Sequence, residues 1–314
     1  MSKILVTGGG GFIGSNLTEA LLKQGHFVRV LDNFSTGKRE NLIFNEAYSS
    51  LEIIEGDICD LTVCQRVMKN IEYLFHQAAL PSVQRSVEDP LTSNSVNVGG
   101  TLNILLAARD AGVKRLIYAS SSSIYGDTPT LPKHEEMPPN PLSPYALQKY
   151  IGEKYCRLFF QLYGLETVSL RYFNIFGPKQ DPTSIYSAVI PRFIGALLEG
   201  RSPTIFGDGE QSRDFTYIDN VVQANLLAMS AVHLNGEAIN IACGKRTSLN
   251  QLISFLKEIV GSKVSPIYEE PRKGDVKHSL AEIRKGKQFL NYEPKVDIEA
   301  GLKKTVEYFQ KLPK

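Results

Sequence analysis

In this 314-residue chain the pair best suited to proton chemistry is Tyr145 and Lys149, four residues apart in Tyr-Ala-Leu-Gln-Lys. On a helix that spacing puts phenol and ammonium on one face. A phenol titrates near 10 and is a poor base at neutral pH. A neighbouring ammonium favours the phenolate, which can then take a hydroxyl proton as hydride leaves the same carbon. The motif recurs at Tyr150-Ile-Gly-Glu-Lys154, but five residues turn Tyr150 about 140° from Tyr145 on a 3.6-residue helix. Tyr145 follows Ser143-Pro144, an N-cap and a first-turn proline. It therefore stands near the carboxyl edge of a sheet, where open α/β folds bind ligands. We assign the chemistry to Tyr145 and Lys149 and read Tyr150 and Lys154 as a packed aromatic and a solvated lysine. The run Ser120-Ser121-Ser122-Ser123 lies 22–25 residues upstream of Tyr145. Past a strand's carboxyl end its hydroxyls can hold the substrate oxygen; alone, such a run also reads as a polar loop.

Hydride needs an acceptor. Gly8, Gly11 and Gly14 in TGGGGFIG lie between a short apolar run and a helical pattern. There glycines let the backbone approach a pyrophosphate, and a helix N-terminus offers free N–H groups to it. Asp32, 18 residues beyond Gly14 at the end of the second strand, can accept from both ribose hydroxyls of an adenosine and would repel a 2′-phosphate. This favours NAD over NADP, with Lys38 and Arg39 standing against it. Asp57, after the third strand, reads either as an adenine-end contact or as a solvated turn residue.

The elements that must position these residues follow from periodicity. Strands are expected at Ile4–Val6, Phe27–Leu31, Leu51–Glu55, Tyr73–His76, Arg115–Ala119 and Thr167–Arg171, with helices over Phe12–Gln24, Asn97–Ala111 and Pro144–Tyr163. Such alternation predicts an α/β fold with a doubly wound parallel sheet. After about Phe173 proline and glycine become frequent, and helices near Ala188–Glu199, Ser248–Val260 and Ile298–Phe309 are separated by longer loops. We therefore expect residues 1–173 to form a cofactor domain and 174–314 a smaller, mixed α/β substrate domain, some of whose segments return to the first, with one shared cleft. Thirty-five Lys and Arg against 33 Asp and Glu give a net charge of +2, too little for the basic stripe of a nucleic-acid binder. The four cysteines show no zinc spacing and form no disulfide framework. No metal site is expected. Without a targeting segment or a run of about 18 apolar residues, the expected location is cytoplasmic.

At these residues the chain resembles the extended short-chain dehydrogenase/reductase family, and within it the NAD-dependent nucleotide-sugar 4-epimerases. The motifs include TGGGGFIG, LDNFSTG, HQAA at 76–79, NVGGT at 97–101, SSSSIYG at 120–126, SPYALQK at 143–149, RYFNIFGP at 171–178, GDGEQSRDFTYID at 207–219 and RKGDVKHS at 272–279. The resemblance implies a Rossmann fold and tightly bound NAD. It adds Phe12, Ile13, Asn33, Ser35, Thr36, Gly37, Ile58, Gln77, Ala78, Ala79 and Tyr172 to the cofactor site, beside Tyr145 and Lys149. Ser121 takes the catalytic serine role, with Ser122 and Ser123 lining the sugar site. For a UDP-sugar it implies Pro81, Ser82, Asn174 and Gln180 around sugar and diphosphate, Ala188, Val189 and Phe206 around uracil, and Arg213, Arg272 and Asp275 on diphosphate and ribose. Forked guanidinium donors suit that task. Ser279 falls where relatives restricted to UDP-glucose and UDP-galactose carry a bulky tyrosine against the sugar C2 substituent. Serine leaves room for the N-acetylated pair, UDP-GlcNAc and UDP-GalNAc.

The implied reaction is inversion at sugar C4 by reversible oxidation. UDP-glucose/UDP-galactose and UDP-glucuronate 4-epimerases are the enzyme alternatives. A dehydratase is disfavoured because the Ser121-Ser122-Ser123 loop lacks a carboxylate. A non-catalytic nucleotide- or RNA-binding relative would show a disrupted Ser/Tyr/Lys set or a basic surface. Relatives pair the helices corresponding to 97–111 and 144–163 between subunits. On that resemblance a homodimer is expected, with Phe159, Phe160 and Leu162 facing the partner.

Overall fold

Six short runs become adjacent parallel strands, and all but the edge run Leu51–Glu55 are largely buried on both faces. The computed structural model describes residues 1–44, 48–181, 188–232, 234–271 and 277–312. In it β1 (Lys3–Thr7), β2 (Phe27–Asp32), β3 (Leu51–Glu55), β4 (Tyr73–His76), β5 (Arg115–Ser121) and β6 (Glu166–Tyr172) lie in the order β3-β2-β1-β4-β5-β6. A seventh parallel strand, Asn235–Ile241, pairs with β6 and completes the sheet. Side chains alternate between two cores. Ile4, Val6, Val28 and Val30 enter one, beneath helix α1 (Phe12–Lys23) and the helix Ile218–Ser230. Leu5, Leu31, Leu74 and Leu116 enter the other, beneath the helices Leu61–Val67, Thr101–Asp110 and Pro144–Tyr163. This is a Rossmann-type α/β fold.

The 144–163 helix starts as its sequence predicts. Ser143 caps it by accepting from the Ala146 N–H at 3.2 Å, Pro144 occupies the first turn, and Gly164 ends it at φ +70°. Phe159 corrects the expectation of an intersubunit position: it is 5% exposed and packed in the second core. Phe160 is half-buried, while Leu162 is exposed. The helix expected over 97–111 is α-helical only at Thr101–Asp110, preceded by a π-helical turn at Ser95–Gly100. Asn97 explains the change. Its amide donates to the Leu80 carbonyl and to Gln148 Oε1 and accepts from the Leu80 N–H at 2.8 Å. The widened turn thereby ties the loop after β4 to the 144–163 helix.

Beyond β6 the helices Val189–Leu198, Leu249–Val260 and Ile298–Gln310 correspond to the expected ones. They form a smaller layer with short strand pairs, such as Thr204–Phe206 with Ile267–Glu269. No helix among the described residues is long and apolar enough to cross a membrane.

Candidate active site

The carboxyl ends of β1, β2, β4, β5 and β6 open on a cleft of about 1500 Å³. At its cofactor end the backbone is packed too closely for side chains. Gly8 has φ +71°, and a Cβ there would stand 2.7 Å from the Ala78 backbone nitrogen; a Cβ on Gly14 would stand 2.2 Å from the Gly8 carbonyl oxygen. Helix α1 begins after Gly11 without a side-chain cap, so its first N–H groups remain available to an anion. Gly8, Gly11, Phe12, Ile13 and Gly14 all line the cleft.

Asp32 does more than await a ribose. Its Oδ2 accepts from the Gly10 N–H and its Oδ1 from the Phe34 N–H, both at 2.8 Å, so it also anchors the glycine loop. Burial raises its pKa against those two bonds. Asp57 accepts from the Cys59 N–H and the Asn33 amide at 2.8 Å. Burial acts to raise its carboxyl, but these bonds outweigh it and hold it below its ordinary value. Asn33, Ser35, Thr36, Gly37, Asp57, Ile58, Gln77, Ala78, Ala79 and Tyr172 also line the cleft. The cations that stood against NAD are engaged elsewhere. Arg39 stacks over Phe34 and pairs with Glu55, while Lys38 Nζ lies 3.1 Å from Asp181. The glycine cradle and the acid at the end of β2 fit NAD.

Where β5 ends, Ser123 Oγ donates to Ser121 Oγ at 2.9 Å, and Ser121 and Tyr145 both line the cleft. Burial pushes the Tyr145 phenol up to about 12, opposed by the nearby Ser121. Lys149 Nζ donates to the Ala119 carbonyl at 2.7 Å and lies 5.9 Å from the centre of the Tyr145 ring. Burial draws its ammonium down to about 8. Burial thus opposes the phenolate that Lys149 and a bound nicotinamide are expected to favour. Tyr150 and Lys154 stand apart: Lys154 is exposed, its Nζ is 4.9 Å from the Tyr150 ring, and neither lines the cleft.

Ser122, Pro81, Ser82, Asn174, Gln180, Ala188, Arg213 and Ser279 line the remainder. Among the described residues the buried Gln180 Oε1 has no hydrogen-bond partner. Val189 and Phe206 lie in a side pocket of about 280 Å³ that shares Asn174, Ala188 and Arg213 with the cleft. Arg272 and Asp275 lie outside the described residues.

Residues 4–242 match the NAD dependent epimerase/dehydratase family. The chain belongs to that family. Its fold is similar to the UDP-glucose 4-epimerase of Thermotoga maritima solved with UDP-glucose, at 43% identity, with 98% of this chain and 99% of that one covered and a TM-score of 0.93. The UDP-N-acetylglucosamine 4-epimerase of Methanobrevibacter ruminantium M1, in complex with UDP-N-acetylmuramic acid, is 41% identical, with 98% of each chain covered and a TM-score of 0.94. The UDP-glucuronic acid 4-epimerase of Bacillus cereus, solved with UDP-glucuronic acid and NAD, is 34% identical over 98% and 99% of the chains, with a TM-score of 0.91. NAD is the family's cofactor.

Sequence reasoning missed three polar groups around this family site. Glu153 and Arg171, each 6% exposed, form a buried pair at 2.7 Å, and Ser120 Oγ donates to Glu153 Oε1 at 2.6 Å. Arg171 Nη1 donates to Tyr125 Oη at 2.8 Å, so the network braces the serine turn from behind. A signal existed: Tyr145, Lys149 and Glu153 recur every four residues on one helix face. The third group is Lys133, buried at the cleft wall.

Proposed function

We propose that this protein is a UDP-sugar 4-epimerase whose preferred pair is UDP-GlcNAc and UDP-GalNAc. The observation that carries the reaction is that Ser121 and Tyr145 share the wall of the cleft at the end of β5, with Lys149 Nζ 5.9 Å from the Tyr145 ring. Tyr145 takes the proton of the sugar 4-hydroxyl and later returns it, while Ser121 orients that oxygen. Lys149, fixed on Ala119, supplies a positive charge that favours the phenolate. NAD, when bound, adds a second positive charge next to the phenol and accepts and returns the C4 hydride.

Substrate choice rests on Ser279. It is 7% exposed, lines the cleft, and is held by its N–H donating to the Ser212 carbonyl at 3.0 Å. A small side chain here leaves space for a C2 acetamido group. The test is to incubate the wild type and Ser279→Tyr separately with UDP-GlcNAc, UDP-glucose and UDP-glucuronate, following anomeric proton signals. The wild type should invert UDP-GlcNAc most efficiently, and Ser279→Tyr should lose that activity at least tenfold while retaining UDP-glucose inversion. Turnover of UDP-glucose without action on UDP-GlcNAc would refute the assignment, and inversion of none would sink the epimerase reading.

The same reading assigns residues 1–173 to a cofactor lobe and 174–314 to a sugar lobe, from which Asn235–Ile241 returns to the sheet. It also assigns a homodimer, built on the exposed stripe of Leu147, Leu158 and Leu162 and on the neighbouring Leu91.

A further inference from the structure

We propose that Lys133 is a substrate-binding residue that recognises an acyl oxygen carried by the hexose. The inference deepens the UDP-sugar reading above and rests on it. Lys133 runs beside the segment that carries Ser279. Its N–H donates to the Leu280 carbonyl at 2.7 Å, the Glu282 N–H donates to its carbonyl at 2.9 Å, and it bridges Ala281. The side chain is 2% exposed yet lines the cleft together with Gly126, Arg213 and Ser279. Its Nζ donates to the Gly126 carbonyl at 2.7 Å, at the close of the turn that carries Ser123.

An ammonium has three donors, and this bond uses one. Among the described residues no carboxylate pairs with Lys133. Asp127 is exposed and acts on it at a distance, and Arg213 adds like charge. Burial and that guanidinium draw the Lys133 ammonium below its ordinary pKa. A buried cation without an anion is costly unless a ligand meets it. Its place beside Ser123 and Ser279 puts the charge at the sugar end of the cleft. Two kinds of hexose carry an acyl oxygen: an N-acetylhexosamine through its acetamido carbonyl, and a uronate through its carboxylate. A neutral hexose presents hydroxyls instead.

The test is calorimetric binding of UDP, UDP-glucose, UDP-GlcNAc and UDP-glucuronate to NAD-loaded wild type, Lys133→Met and Lys133→Arg. Lys133→Met should weaken at least one acyl-bearing sugar by about 10- to 100-fold, the scale of a hydrogen bond to a charged group. UDP and UDP-glucose should stay within about twofold. Lys133→Arg should recover part of the loss, and the ligand affected identifies the acyl source. An equal loss for all four ligands would assign Lys133 to bracing Gly126, a loss for UDP would assign it to the diphosphate, and no change would remove it from the site. Each overturns the proposal. Should Lys133→Met not fold, Lys133→Gln, which keeps a donor for Gly126, carries the same comparison. Binding is read without turnover, so a protein that discriminates these ligands but never inverts C4 would refute the activity and leave Lys133 in place.

Discussion

Tyr145 and Lys149 are pulled by burial in opposite directions, the phenol up to about 12 and the ammonium down to about 8. Both shifts oppose the charged forms that the proposed reaction uses, so positive charge from the cofactor and the nearby Ser121 must offset them. Tyr145→Phe should therefore lower C4 inversion by about 10²–10⁴-fold, the usual scale of acid–base catalysis. Tyr150→Phe should leave the rate within about twofold, and a loss at Tyr150 with none at Tyr145 would reverse the assignment. These two tyrosines were distinguishable in the sequence because Ser143-Pro144 fixes the first turn of the helix. Glu153, Arg171 and Lys133 were not, because the sequence shows a charge but not its burial, and each normally reads as solvated surface. The sequence marked Asp32 as a candidate ribose acceptor but did not show its bonds to the Gly10 and Phe34 N–H groups.

Elements of the parallel sheet were legible wherever burial on both faces demands an apolar run, as in Ile4-Leu5-Val6 or Leu116–Ala119. The strand Asn235–Ile241 escaped because it opens with Gly236 at φ +77° and a register shift against β6. The π-helical turn at Ser95–Gly100 escaped because it depends on the contacts of Asn97 with distant residues. His76 joins three elements, since its ring nitrogens meet Thr7 Oγ1 at 2.7 Å and Thr101 Oγ1 at 3.0 Å. Burial, assisted by the charge of Lys149, pushes its pKa down to about 3. An unfolded histidine binds a proton near 6.5, so between these values the unfolded state holds the extra proton and stability falls as pH drops. Urea unfolding followed by circular dichroism should lose up to about 1.4 kcal/mol per pH unit from this group below pH 6.5. His76→Asn should flatten that slope between pH 6.5 and 5, above most carboxylate titration, and an unchanged slope would contradict the account.

The whole molecule is organised by a cleft lined by residues from before and after β6. Asn16 Nδ2 donates to the Pro178 carbonyl at 3.2 Å, Lys179 reaches Glu19 at 3.3 Å, and Lys38 meets Asp181, so the segment after β6 is tied back to α1 and the loop after β2. A net charge of +2 suffices because Lys133 and Arg213 concentrate positive charge within the cleft. On the outer face Leu91 is 83% exposed, near the leucine stripe of the 144–163 helix. Light scattering at micromolar concentration should find a dimer that Leu91→Asp with Leu158→Asp dissociates, whereas a wild-type monomer would contradict that assignment. The central claim is C4 inversion through a hydride that leaves the sugar and returns to it within one cleft. Purified protein, without added NAD, should be given UDP-GlcNAc deuterated at C4 in ordinary water, and the UDP-GalNAc formed should be analysed by proton NMR and mass. The account predicts inverted product that retains the deuterium at C4. Inverted product with a solvent proton at C4 would contradict it.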